Sequence, residues 1–276
     1  MIPCDFDYYK PDTIEEAVKL YKDLKDKGKI PKYYSGGTEI ITMSRASNLY
    51  MDAIIDLKGI PQCRQQEVSC DCLNIGASLT LTEIAEANLF PLLSLTVQRI
   101  ADHTVQDKIT LGGNICGTII YKEGLLPLLV SDSYAVVADY RGLRNIPVKD
   151  IFQRELKLNE EEFIVSFVIR RCYTELPYLH AKRTKSDKIN YPLITLAAIL
   201  EGNKVKMAFS GLCRYPIRSV TMEDWLNSSS LPEALRIQYA LKSVPDFILE
   251  DLEGSASYRR FLLESMLHEV SSKLGV

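Results

Sequence analysis

Apolar positions recur at helical spacing near the start of the chain. Ile14, Ala17, Val18, Tyr21 and Leu24 fall on one face, Thr13 and Glu16 have capping-box spacing, and Gly28 supplies a stop. Residues 5–9, 32–35 and 53–57 read as strands. The opening is therefore a β-α-β unit whose second strand runs into Gly36-Gly37. Further on, 73–78 reads as a strand, Thr80 and Glu83 as a second capping box, and 91–101 as a longer apolar helix. Residues 125–130 predict a buried helix, and 134–139 and 163–169 predict strands.

The pattern changes near residues 172–177. Beyond it, two apolar runs, 193–200 and 205–212, flank Gly202-Asn203, which is a hairpin signal. Helical spacing returns over 232–241 and 257–274, with Phe261, Leu262, Met266 and Val270 near one face, and Trp225 falls in a helical segment before them. The reading is an α+β chain: an N-terminal domain over 1–172, in two parts of about 1–57 and 58–172, then a smaller sheet-plus-helices domain over 173–276.

Two glycine turns carry the candidate chemistry. The first is Tyr34-Ser35-Gly36-Gly37-Thr38-Glu39, directly after a predicted strand; the second is Thr110-Leu111-Gly112-Gly113-Asn114. Glycine lets backbone N–H groups approach a ligand without an intervening Cβ, and successive N–H groups form an anion nest. Hydroxyls of Ser35, Thr38 and Thr110 add donors. The expected ligand is a diphosphate gripped from both sides. Neither turn is a Gly-x-Gly-x-x-Gly or a phosphate-loop pattern.

Bulk properties narrow the rest. The chain has 276 residues and a formal net charge of -3, which does not favour nucleic-acid binding. No apolar run approaches a membrane span, and the first residues do not form a signal peptide. Seven cysteines, an odd and scattered set, suit a reducing compartment and a cytoplasmic location. Cys63, Cys70 and Cys72 cluster, and read as reduced thiols more readily than as metal ligands. His103, His180 and His268 are too far apart in sequence to form a metal motif.

Longer stretches bring a family into view. Gly37-Thr38-Glu39-Ile40, Ile75-Gly76-Ala77 followed by Thr80, Thr110 to Asn114, Lys182-Arg183, and Gly211-Leu212-Cys213-Arg214-Tyr215-Pro216-Ile217-Arg218 occur in order along most of the chain. In this the chain resembles the FAD-binding subunits of molybdenum-dependent hydroxylases, the group of xanthine dehydrogenases and carbon monoxide dehydrogenases. The resemblance implies an FAD-binding domain of the vanillyl-alcohol-oxidase/PCMH type. It implies cofactor contacts from Tyr33, Tyr34, Ser35, Gly36, Gly37, Thr38, Glu39 and Ile40, and from Thr110, Leu111, Gly112, Gly113 and Asn114. Glu123 stands where the family carries an aspartate that reaches the sugar–phosphate part. Ile100 and Ile164 stand at positions that meet the rings, and Lys182 at one near the flavin, where with Arg183 it would offset charge on the reduced cofactor.

The segment Thr118-Ile119-Ile120-Tyr121-Lys122-Glu123 departs from the family's pattern, which leaves two readings open: Tyr121 and Lys122 shape access to the flavin, or the loop varies without functional effect. The resemblance further implies partner subunits holding [2Fe-2S] clusters and molybdopterin in a heterotrimer. It implies NAD+ as an electron acceptor and a purine such as xanthine as substrate of the complex. No acid, base or nucleophile is assigned to this chain. The alternatives are a self-sufficient flavin oxidoreductase of the same fold and an assembly subunit that has lost FAD.

Overall fold

The opening alternation builds a small parallel sheet. β1 (Asp7–Tyr9) leads into α1 (Ile14–Asp26), then β2 (Pro31–Tyr34), α2 (Thr38–Arg45) and β3 (Ala53–Asp56), with strand order β1-β3-β2. The computed structural model describes residues 2–186 and 190–276. Thr13 caps α1 by accepting from Glu16 N at 3.1 Å. The reciprocal half of the expected capping box is displaced by one residue, because the Glu16 carboxylate takes the N–H of Asp12 at 3.0 Å. Ile14, Ala17, Tyr21 and Leu24 pack on Ile55 and on Phe163 and Val165 of the next sheet, forming one apolar cluster. The sequence pattern did not predict α2; its eight residues carry no strong apolar stripe, and only Ser44 is buried.

The second sheet is antiparallel. β4 (Gln66–Val68) and β5 (Cys72–Gly76) come first. A helical stretch follows: α3 (Leu81–Ala87), α4 (Pro91–Val97), α5 (His103–Gln106), α6 (Leu111–Cys116) and α7 (Leu125–Val130). β6 (Tyr134–Asp139), β7 (Gly142–Pro147), α8 (Val148–Ile151) and β8 (Phe163–Arg170) complete it, in strand order β4-β5-β8-β6-β7. The capping box at Thr80 and Glu83 is present in both halves. The apolar helix expected over 91–101 ends at Val97. There the chain enters a turn in which Ala101 has φ +54°, and the Gln106 side-chain amide takes the carbonyls of Gln98, Ile100 and Ala101.

The third sheet, in order β12-β11-β10-β9, is built from β9 (Tyr178–Thr184), β10 (Pro192–Glu201), β11 (Lys204–Ser210) and β12 (Ile217–Arg218). The hairpin predicted at Gly202-Asn203 joins β10 to β11, with Glu201 opposite Lys204. α9 (Val220–Leu226), α10 (Glu233–Lys242) and α11 (Ala256–Leu274) follow. β10 is apolar on both faces because both are covered. Ile194, Leu196 and Ala198 pack under the C-terminal helices, while Ala197 and Ile199 join the core of the second sheet and its helices. On α11, Leu262, Met266 and Val270 are buried as expected, but Phe261 points to solvent at 63% exposure. Among the described residues no helix is long and apolar enough to cross a membrane.

Candidate functional site

The first glycine turn lies at the carboxyl ends of the parallel strands. β2 and β3 end level, with Tyr34 opposite Asp56, and Ser35, Gly36 and Gly37 lead directly into α2. Gly37 adopts φ +71°, the left-handed region glycine enters without a steric penalty, and it caps α2 with no side-chain bond. The first N–H groups of a helix have no intrahelical partner. Among the described residues, the N–H groups of Gly36, Gly37, Thr38, Glu39 and Ile40 meet no protein acceptor. These five donors follow one another at the positive end of an α-helix, an arrangement suited to an anion.

The second turn is not a loop. Thr110 caps the six-residue α6, so Leu111, Gly112, Gly113 and Asn114 are helical. Their N–H groups are already committed: Leu111 to Leu79 O (3.0 Å), Gly112 to Ala77 O (2.8 Å), Gly113 to Thr110 Oγ1 (3.2 Å) and Asn114 to Thr110 O (2.8 Å). The expectation of two matching nests is therefore corrected. The first turn offers backbone donors, whereas the second spends its own on the protein. Gly112 is needed for packing, because a Cβ there would stand 2.9 Å from Ala77.

The two turns nonetheless meet. A Cβ on Gly36 would collide with the carbonyl oxygen of Lys108 and stand 3.2 Å from Thr110 N. Glu39 in the first turn of α2 accepts from Thr118 N at 2.7 Å, and Asn114 Oδ1 accepts from Gly124 N at 3.1 Å. The divergent segment 118–123 is thus tied to the first turn at Thr118, and the residue just after it, Gly124, is tied to the second. Lys122 is buried, and its ammonium binds the carbonyls of Ile115 (2.9 Å) and Gly117 at the end of α6. Burial holds its pKa below the usual lysine value. Tyr121 stacks on Tyr191 with ring centroids 4.8 Å apart.

The remaining candidates fall into two groups. Tyr33 turns its ring away from the turn, stacked on Tyr21 at 4.8 Å and packed against Phe163 at 4.7 Å. Only its backbone adjoins the turn. The Tyr34 ring instead fills the space beside Gly37, where a glycine Cβ would overlap it. Ile100 and Ile164 are buried in the same apolar cluster and can only supply wall.

Glu123 and Lys182 form a buried pair. Lys182 Nζ lies 3.1 Å from Glu123 Oε1 and donates to Arg99 O at 2.6 Å, while Thr195 Oγ1 donates to Glu123 at 2.6 Å. Burial raises the Glu123 pKa, and Lys182 and Thr195 pull it back only in part. Lys182 is balanced by Glu123 and Arg183 by Glu269 at 2.8 Å, so neither is an uncompensated charge. That weakens the expected electrostatic role toward a reduced cofactor.

Sequence reasoning missed Lys58. Its Nζ donates to Ser35 O at 2.7 Å and to Asp56 Oδ1 at 2.8 Å, and lies 4.5 Å from the centroid of the Tyr34 ring. The available signal was its position just past a strand of the opening unit, since ligands of open parallel sheets bind beyond the carboxyl ends of strands.

A diphosphate fits the first turn by its chemistry: free backbone donors in sequence at a helix start, and a lysine beside them. Residues 4–170 match the family described as FAD binding domain in molybdopterin dehydrogenase. The nicotinate dehydrogenase FAD-subunit of Eubacterium barkeri is 23% identical over 247 residues, covering 82% of this chain and 81% of that protein. The nicotine 6-hydroxylase medium subunit of Paenarthrobacter nicotinovorans is 25% identical over 280 residues, covering 97% and 96%. A solved structure of carbon monoxide dehydrogenase from Hydrogenophaga pseudoflava superposes with a TM-score of 0.87 at 21% identity, covering 99% of this chain and 98% of that one. At that identity the likeness is one of fold.

Proposed function

The chain belongs to the family of FAD-binding domains in molybdopterin dehydrogenases, and we propose that it is the FAD-carrying electron-transfer subunit of a molybdenum hydroxylase complex. The observation that carries this reading is the run of free N–H groups from Gly36 to Ile40 at the start of α2. These groups, with Ser35, would hold the diphosphate. Thr110 and Asn114 would close the other side with side chains, since the backbone donors there are spent. Ile100, Ile164, Glu123 and Lys182 would border the rest of the cofactor, as buried wall and as a neutralised ion pair. When bound, FAD supplies the redox chemistry, accepting electrons singly and releasing them in pairs.

In this proposal residues 1–172 form the cofactor unit and 173–276 the unit that covers it, in a cytoplasmic complex. A [2Fe-2S] subunit delivers the electrons and a molybdopterin subunit oxidises the substrate. The two relatives compared above are named for nicotinate and nicotine. A nitrogen heteroaromatic is accordingly the proposed substrate class, with a purine such as xanthine as the specific case and NAD+ as the acceptor.

The test is the visible spectrum of the chain purified with its partner subunits, together with chromatography of any released cofactor. Oxidised-flavin bands and FAD in near one-to-one ratio are expected. A complex without flavin, even after incubation with excess FAD, overturns the reading and favours an assembly subunit. Reduction of NAD+ with xanthine would carry the finer assignment, and turnover only with other substrates or acceptors would refute it.

A further inference from the structure

We propose that Lys58 is the positioning residue of the diphosphate turn, holding the Ser35 carbonyl so that the turn presents donors, and no acceptor, to the anion. The inference rests on the reading of this turn as the FAD diphosphate site and adds a residue to it.

The argument starts from a polarity problem. A peptide segment that shows successive N–H groups to an anion also carries carbonyl oxygens, and one facing the same anion repels it. The oxygen at risk here is that of Ser35, immediately before the free donors of Gly36 and Gly37. Lys58 takes it at 2.7 Å. The reach follows from topology. β2 and β3 are parallel neighbours that end level at Tyr34 and Asp56, so a side chain two residues beyond β3 stands beside the first residue beyond β2.

Lys58 is itself held in place. Its ammonium bonds to Asp56 Oδ1 at 2.8 Å, its backbone N–H bonds to the same oxygen at 3.0 Å, and it lies over the Tyr34 ring. The Asp56 carboxylate is buried, and its other oxygen accepts from the Tyr8 hydroxyl. Tyr34 in turn fills the space beside Gly37. A chain of contacts thus runs from β1 through Asp56 and Lys58 to the turn, and each link restricts the next. The ammonium also places one positive charge at the foot of the anion site, partly offset by Asp56.

The experiment uses the full chain freed of flavin and titrated calorimetrically with FAD, ADP and riboflavin. Lys58→Met keeps the alkyl stem on Tyr34 but loses the carbonyl bond; Lys58→Arg can restore it. The expected result for Lys58→Met is a loss of about tenfold or more in affinity for both FAD and ADP, the size of a charged hydrogen bond. Riboflavin affinity should stay unchanged; the melting temperature should fall modestly, because buried Asp56 loses the ammonium but keeps the Tyr8 hydroxyl and the residue-58 N–H, and Lys58→Arg should recover most of both losses. Unchanged FAD and ADP affinities in Lys58→Met, or an equal loss for riboflavin, would overturn the assignment. A wild-type chain that binds none of the three ligands would instead refute the cofactor reading beneath it.

Discussion

Gly36 and Lys108 touch backbone to backbone. The α-carbon of one lies so near the carbonyl oxygen of the other that no side chain fits between them. The carbonyl cannot retreat, because the residues that follow it are bonded across to the 79–81 segment: Ile109 O accepts from Leu81 N at 2.9 Å and Leu111 N donates to Leu79 O at 3.0 Å. This contact brings the donor-rich first turn against the helix start at Thr110.

Gly36→Ala should therefore separate the two turns. Overpacking at a rigid contact costs about 1–3 kcal/mol. The expected outcome is a lower melting temperature together with loss of bound flavin, read from the ratio of visible to ultraviolet absorbance. A variant with full flavin content would contradict the geometry.

The Glu123–Lys182 pair should behave as a buried pair. Each side chain is only 5% exposed. Lys182→Met leaves a carboxylate with Thr195 as its remaining partner, and breaking one side of such a pair costs about 3–5 kcal/mol. Glu123→Gln combined with Lys182→Met should recover a large part of that. Denaturant unfolding of the two single variants and the double variant checks it; additive losses would show that the residues act separately.

His180 predicts a pH dependence. It sits on β9, buried, and neither ring nitrogen has a hydrogen-bond partner among the described residues. Burial, with Arg99 and Lys182 nearby, pushes its pKa from 6.5 down to about 3. The unfolded chain therefore takes up a proton below pH 6.5 that the native state refuses. Stability from this residue is complete above pH 6.5 and lost as pH falls toward 3. Between pH 7.5 and 5 the loss is about 2 kcal/mol. His180→Leu should flatten the stability profile over that range by this amount, measured by urea unfolding; an unchanged profile would exclude the histidine as its source.

Among the described residues, Arg259 is the largest side chain that is fully buried. It donates to Leu193 O at 2.5 Å and Gly211 O at 2.7 Å, and pairs with Asp251 at 2.7 Å, joining α11 to the ends of β10 and β11. Arg259→Met leaves two carbonyls and a carboxylate without their donor, at about 1–3 kcal/mol for each buried group. Phe261→Ser, two residues on but exposed, should stay within about 0.5 kcal/mol of wild type. Chemical unfolding of both variants tests the orientation of α11. Comparable losses would mean that Phe261 is packed after all.

The chain's own pattern determined most of the elements. Ile14 to Leu24 made α1 because one face had to be buried, and Thr80 with Glu83 started α3 because their spacing closes a local ring of hydrogen bonds. The alternation about Gly202 set a hairpin for the same local reason. The glycine pairs and the Thr-Glu-Ile and Gly-Gly-Asn stretches were enough to point to the family.

Tertiary structure decided what those glycines do. Gly36 and Gly112 look alike in sequence. Yet Gly36 precedes a helix start whose donors are free, whereas Leu111, Gly112, Gly113 and Asn114 spend theirs on Leu79, Ala77 and Thr110. Whether a backbone N–H is available depends on which acceptor the fold brings to it, and Leu79 lies more than thirty residues away in the chain. The same holds for Glu123, which needed β9 and β10 to supply Lys182 and Thr195, and for Lys58, whose value lies in strands that end level. Local spacing determines caps, turns and faces; partners distant in sequence exist only once the chain has packed.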